Sequence, residues 1–119
     1  MKRVLLLDDD IDLCEIMAEM VMEMGALSCQ AVNSIKELKL IQEIPTRFDL
    51  IFVDMNLGIN DLNGIDAYKW LREIGYIGQV TFFSGHDRSH PMIQLAMSLP
   101  NASVLEKPPS DSQLENLLR

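Results

Sequence analysis

The sequence predicts an α/β fold, a five-stranded parallel sheet in a (βα)5 arrangement with helices on both faces. Three observations carry that prediction. Short apolar runs alternate with helical patterns about five times, without repeats or low-complexity stretches, which is how successive βα units read. The runs Val4-Leu5-Leu6-Leu7 and Leu50-Ile51-Phe52-Val53 are apolar throughout, as strands buried on both faces must be. At 119 residues and 48% hydrophobic, the chain suits one domain, residues 1–119, with a real core.

The elements follow in order. Strands are expected near residues 3–7, 27–31, 49–53, 79–83 and 103–106. The first helix follows Asp10. The second starts at Ser34, with Glu37 three residues on as a capping box, and ends before Pro45. The third runs from about Ile65 to Arg72 and stops by Gly75. The fourth begins at Pro91, a proline suited to a first helical turn, and the fifth spans about 111–118.

Charge and composition exclude several classes. A net charge of −8, with 10 basic residues against 18 acidic, argues against a nucleic-acid surface. Cys14 and Cys29 have no metal-ligand spacing and read as buried reduced thiols of a cytoplasmic protein. Met1-Lys2-Arg3 followed by four apolar residues imitates a secretory leader, but Asp8-Asp9-Asp10 cuts the run too short. No segment is long enough to span a membrane.

The acids carry the chemistry. Asp8-Asp9-Asp10 follows the first apolar run and Asp54 ends the third. Right-handed crossovers place a ligand crevice at the carboxyl ends of the strands, where strand order reverses. In the expected order, 2-1-3-4-5, that crevice lies between strands 1 and 3, beside Asp8, Asp9 and Asp54. Two unit charges about 4 Å apart repel by roughly 4 kcal/mol at an effective dielectric of about 20, so the cluster calls for a hard divalent cation and a lysine. Ser84 closes the fourth run and Lys107 the fifth, on the same edge. A carboxylate nucleophile, a magnesium ion, a hydroxyl and an ammonium together suit a phosphoryl group. Singly, each has a plainer reading: the Asp run as a solvated helix start, Ser84 as a cap, Lys107 as a surface lysine. Set together at successive strand ends, they favour the site.

On these residues the chain resembles the receiver domain of two-component response regulators, over essentially its whole length. Leu7-Asp8-Asp9 resembles the acidic pair after strand 1, Asp54 the phosphorylated aspartate, Ser84-Gly85 the hydroxyl residue with its small neighbour, and Lys107-Pro108 the lysine before a usually cis proline. The resemblance implies a flavodoxin-like fold and a cytoplasmic phosphoacceptor that catalyses only its own phosphorylation and dephosphorylation. It further implies that Asp9, Asp54 and the backbone carbonyl of Asn56 bind Mg2+, with Asp8 acting through water. The donor would be a sensor histidine kinase or a histidine phosphotransfer protein.

Three departures stand out. Val104 occupies a position that is often aromatic in this family, which removes the residue a Tyr- or Phe-based switch would use. The loop between Asp54 and Gly64 is about two residues longer than the common form, which bears on access to the site. The last helix is barely two turns. His86, two residues after Ser84, falls where the family tunes loss of the phosphoryl group.

On the first helix Leu13, Ile16, Met17, Met20, Val21 and Met24 form the expected core stripe. Asp12, Glu15, Glu19 and Glu23 form an acidic stripe. Ile11, Cys14, Ala18 and Met22 form a second apolar line that suits docking of the phosphodonor. The fourth helix, with Met92, Ile93, Leu95, Ala96, Met97 and Leu99, is apolar almost all round and suits an effector or dimer contact. The competing readings are a degenerate receiver that only binds partners, an aspartate-nucleophile phosphatase, and a flavodoxin-like nucleotide binder. Asn56 stands where the phosphatase class wants a second acid, and Asp8 to Asp10 would repel the nucleotide's phosphate.

Overall fold

The apolar runs become five parallel strands, and the computed structural model describes residues 1–57, 63–85, 89–107 and 109–119. The element order is β1 (Arg3–Leu7), α1 (Ile11–Glu23), β2 (Ser28–Val32), α2 (Ile35–Leu38), α3 (Ile44–Arg47), β3 (Leu50–Asp54), α4 (Gly64–Glu73), β4 (Gln79–Ser84), α5 (Pro91–Ser98), β5 (Ala102–Glu106) and α6 (Asp111–Leu118). The sheet order is β2-β1-β3-β4-β5, as expected, with Leu7 in register with Val32 on one side and Val53 on the other. The carboxyl ends of β1 and β3 are therefore neighbours at the point where strand order reverses.

Alternation along each strand divides the core into two layers. Leu5, Leu7, Ile51, Val53, Val80 and Phe82 face α2 to α5, where they meet Leu38, Ile44, Leu71 and Ile93. Val4, Leu6, Leu50, Phe52 and Phe83 face α1 and α6, meeting Met17, Val21, Leu114 and Leu118. Phe52 and Phe83 stack with ring centroids 4.9 Å apart. Truncating such a ring, as in Phe52→Ala, costs about 3–5 kcal/mol. With both layers filled, the strands are held rigidly enough to fix the residues at their ends.

Two expectations are corrected. The second helix is not one element ending before Pro45 but two single turns, α2 and α3. Glu43 takes a left-handed φ of 61° between them, and Pro45 sits inside the first turn of α3, where its missing N–H costs nothing. The break brings Leu38, Ile44 and Phe48 into the core together, which one continuous helix of that length would not. The capping box is also half formed. Ser34 accepts from Glu37 N at 3.1 Å, but the Glu37 carboxylate takes the N–H of Asn33, at 2.6 Å, rather than that of Ser34.

The phase of α1 differs as well. Cys14, Met17 and Val21 are its buried residues, so Cys14 belongs to the core and not to the outer apolar line. Ile16, expected in the core, is 55% exposed. The sheet lies against Cys14's side of the helix because Asp10 caps the first turn, accepting from Leu13 N at 3.1 Å, and starts α1 hard against the end of β1. On α5 the expected exposed face is present in Leu95 and Met97. Among the described residues no helix is long and apolar enough to cross a membrane.

Candidate functional site

Asp8 and Asp54 are carried to one place by the pairing of β1 with β3, and both are buried. Lys107 follows β5 and is brought to them by the next strand pairings, its own N–H bonding Ser84 O at 3.0 Å. Its Nζ donates to Asp8 Oδ2 at 2.9 Å and lies 3.0 Å from Asp54 Oδ1. Asp8 Oδ1 accepts from Asp10 N at 2.9 Å, and Asp54 Oδ1 accepts from Asn56 N at 3.2 Å. The two aspartates thus share one ammonium. Burial, and then the charge of Asp8, push the Asp54 carboxyl up to about 6 against the pull of Lys107. Burial alone would lower Lys107, but hydrogen bonds to Asp8 and Asp54 more than offset it and raise its pKa.

Asp54, Met55, Asn56, Ser84, Gly85 and Lys107 line a cleft of about 350 Å3. An antiparallel bridge between Asn56 and Asn63 closes the base of the loop after Asp54. Of the residues predicted from the sequence, Asp8, Asp54, Ser84 and Lys107 are gathered at this edge of the sheet, with Asp9 and Asn56 exposed at its rim. Asp10 is instead a helix cap. Expectations that fall on residues 58–62, His86 and Pro108 lie outside the described residues. Val104 is half-buried on the side of the sheet that faces α5.

The donor set fits a magnesium ion. Carboxylate oxygens of Asp8, Asp9 and Asp54 lie within 4.8 Å of one another, and all are hard oxygens with no thiolate or imidazole among them. Asp8, Asp9 and Asp54 would hold such an ion through these oxygens, directly or through water, and it would offset their mutual repulsion.

Two residues at the site escaped the sequence reading. Gly64 opens α4 directly behind the aspartate, where a Cβ would stand 2.9 Å from Asp54 O and 3.1 Å from Met55 Cα; the lack of a side chain is what lets the helix approach. Asn33, at the end of β2, donates through Nδ2 to Asp8 O at 3.0 Å. Cys14 Sγ approaches the same carbonyl at 3.5 Å, and burial, then Asp8, push its thiol up to about 11, so it stays protonated.

The model of the response regulator receiver domain family matches residues 4–119. The chain belongs to that family. Receiver domains are signalling domains of two-component systems, and this one carries the full receiver sheet. Among solved structures, a response regulator receiver domain protein from Clostridium thermocellum is 21% identical with a TM-score of 0.85, covering 99% of this chain and 91% of its own. A CheY-like receiver domain from Methylobacillus flagellatus is 24% identical at a TM-score of 0.76, covering 99% and 96%. NtrX from Brucella abortus is 22% identical at a TM-score of 0.77; it covers 98% of this receiver domain, which spans 25% of the longer NtrX chain. These likenesses concern the fold. No curated protein matches the chain.

Proposed function

We propose that this receiver domain is the phosphoacceptor of a two-component phosphorelay, taking a phosphoryl group from a phosphohistidine onto Asp54. The observation that carries the reading is the pair of buried carboxylates sharing Lys107 at 2.9 and 3.0 Å, with Asp54 and Lys107 lining a cleft. A fold has no need of such a pair for its own stability, because two buried like charges raise its energy. The arrangement suits a visitor bearing negative oxygens and a cation to balance them.

In the transfer, an Asp54 oxygen attacks phosphorus and the P–N bond to the donor imidazole breaks. Its electron pair stays on the ring nitrogen, which takes up a proton. Lys107 then pairs with a phosphoryl oxygen, and the Ser84 hydroxyl, at the end of the neighbouring strand, donates to another. Asp9, Asp54 and the Asn56 carbonyl would hold Mg2+, with Asp8 through water. When bound, Mg2+ neutralises the phosphoryl oxygens. Loss of the group is the attack of water on the same phosphorus, which breaks the bond to Asp54 and restores its carboxylate. Catalysis is positioning and electrostatics, with no further covalent step for the protein.

The phosphodonor, a sensor histidine kinase or histidine phosphotransfer protein, docks on α1 beside the cleft. The exposed apolar residues there are Ile11 and Met22, with Cys14 removed from the line by burial and Ala18 half-buried against the core. Met22→Glu slows transfer from the donor protein and leaves labelling by a small phosphodonor intact. The exposed Leu95 and Met97 of α5 are the contact for an effector or a second copy.

Borohydride trapping tests the assignment. After incubation with acetyl phosphate and Mg2+, reduction converts an aspartyl phosphate to homoserine, and peptide mass mapping locates it. Conversion at residue 54 supports the phosphoacceptor. Multiple turnover of a small phosphomonoester would favour an aspartate-nucleophile phosphatase, and neither trapping nor turnover would favour a receiver that only binds partners.

A further inference from the structure

The turn between β2 and α2 reaches the site through one side chain. Asn33 Nδ2 donates to the backbone carbonyl of Asp8 at 3.0 Å and lies 3.7 Å from Cys14 Sγ. A carbonyl only accepts, so the amide must turn its NH2 end to Asp8. The Cys14 thiol also approaches that carbonyl, at 3.5 Å, as a weak donor. Asn33 is itself held, because its N–H is bonded to the Glu37 carboxylate at 2.6 Å. Glu37 is in turn fixed by its own N–H to Ser34 Oγ at 3.1 Å. The chain of contacts therefore runs from the cap of α2 through Asn33 to Asp8, and from Asp8 Oδ2 to Lys107 at 2.9 Å.

This arrangement explains why α2 exists. A helix of four residues is far below the length at which helices stand alone, yet Ile35 and Leu38 are buried and Ser34 caps it by accepting from Glu37 N. We infer that α2 and its cap serve to hold Asn33, and that Asn33 is a positioning residue that sets the backbone of Asp8 for metal binding. Outer-shell partners of this kind orient the groups that face a metal and commonly change affinity by one or two orders of magnitude when lost. The inference deepens the magnesium reading of the site and rests on it.

The test is a Mg2+ titration of the native protein, Asn33→Ala, Glu37→Gln and Glu37→Ala, followed by the amide NMR shifts of Asp10 and Asn56, whose N–H groups bond the Asp8 and Asp54 carboxylates. Thermal unfolding in chelator is recorded beside it. Asn33→Ala weakens Mg2+ binding about tenfold. Glu37→Gln, which keeps an acceptor in the same place, binds like the native protein, and Glu37→Ala falls between the two. A lower melting temperature with Mg2+ affinity within about twofold of native would mean that Asn33 is only structural, and would overturn the inference. If Asn33→Ala does not fold, Glu37→Ala decides: unchanged affinity overturns the inference and weakened affinity supports it. A native protein that binds no Mg2+ would sink the metal reading and this inference together, whereas native binding with an indifferent Asn33→Ala sinks the inference alone.

Discussion

The two ends of β1 and β3 make a controlled comparison, because the same pair of strands carries charge at both. At the amino end Arg3 faces Asp49: Nη2 lies 3.1 Å from Oδ1, and the Arg3 N–H and Nε both donate to Oδ2, at 2.8 and 3.1 Å. One cation meets one anion, both more than a third exposed. Hydrogen bonds from Arg3 hold the Asp49 carboxyl below its usual range. At the carboxyl end two buried acids share one lysine, and Asp54 is pushed the other way, up to about 6. A balanced, half-solvated pair is what a fold does with charge when nothing else is asked of it. The unbalanced, buried set is the departure that marks function.

Substitutions at the two cations separate the ends most widely. Lys107→Ala lowers the rate of phosphoryl labelling about a hundredfold, while Arg3→Ala leaves labelling unchanged. Equal labelling in both variants would mean that the lysine is only a counter-charge of the fold.

Asp54→Asn gives a smaller effect of unusual sign. The folded carboxyl titrates near 6 against an ordinary value of 3.8, so the native state holds a proton that the unfolded chain has released. Stability from this group is full below pH about 4 and is lost as pH rises through 6. In chelator at pH 7.5 the variant is therefore more stable than the native protein, and the gain vanishes as pH falls to 4. Urea unfolding across that range checks it; a variant less stable at pH 7.5 would show that the carboxylate is well accommodated as an anion.

Magnesium sharpens the contrast further. At a hundredfold excess over its dissociation constant it stabilises the native protein by about 2.7 kcal/mol, and chelator reverses the effect. Asp9→Asn reduces the gain and Asp49→Asn does not. The smallest difference is to monovalent salt, which screens the exposed Arg3–Asp49 pair more than the buried set. Thermal shifts in sodium chloride, native against Arg3→Ala, read it.

The carboxyl-end residues were legible in the sequence because Asp8, Asp54 and Ser84 each follow an apolar run directly and Lys107 comes one residue later, and a parallel sheet sends all such endings to one edge. The alternation announced the parallel sheet, while its strand order rested on the resemblance to receiver domains. What was not legible depended on three-dimensional phase. Helix α1 is apolar at Ile11, Leu13, Cys14, Ile16, Met17, Ala18, Met20, Val21, Met22 and Met24, so its periodicity admits two faces, and only the docking of Cys14 behind Asp8 chooses between them. Pro45 reads equally as the end of one helix or the start of another, and the burial of Ile44 decides for the second. Asn33 was invisible for a different reason. Its partner is 25 residues away in sequence, and no local pattern announces an amide that crosses from one strand end to the next. Gly64 reads as the end of a loop, although its value lies in what stands 2.9 Å away.

The intact mass of the protein after incubation with a small phosphodonor, with and without Mg2+, for the native chain and Asp54→Asn, tests the account most directly. One phosphoryl adduct that forms on the native protein only with Mg2+, and not on the variant, is the predicted result. No adduct on a folded protein shown to bind Mg2+, or an adduct that survives Asp54→Asn, would contradict it.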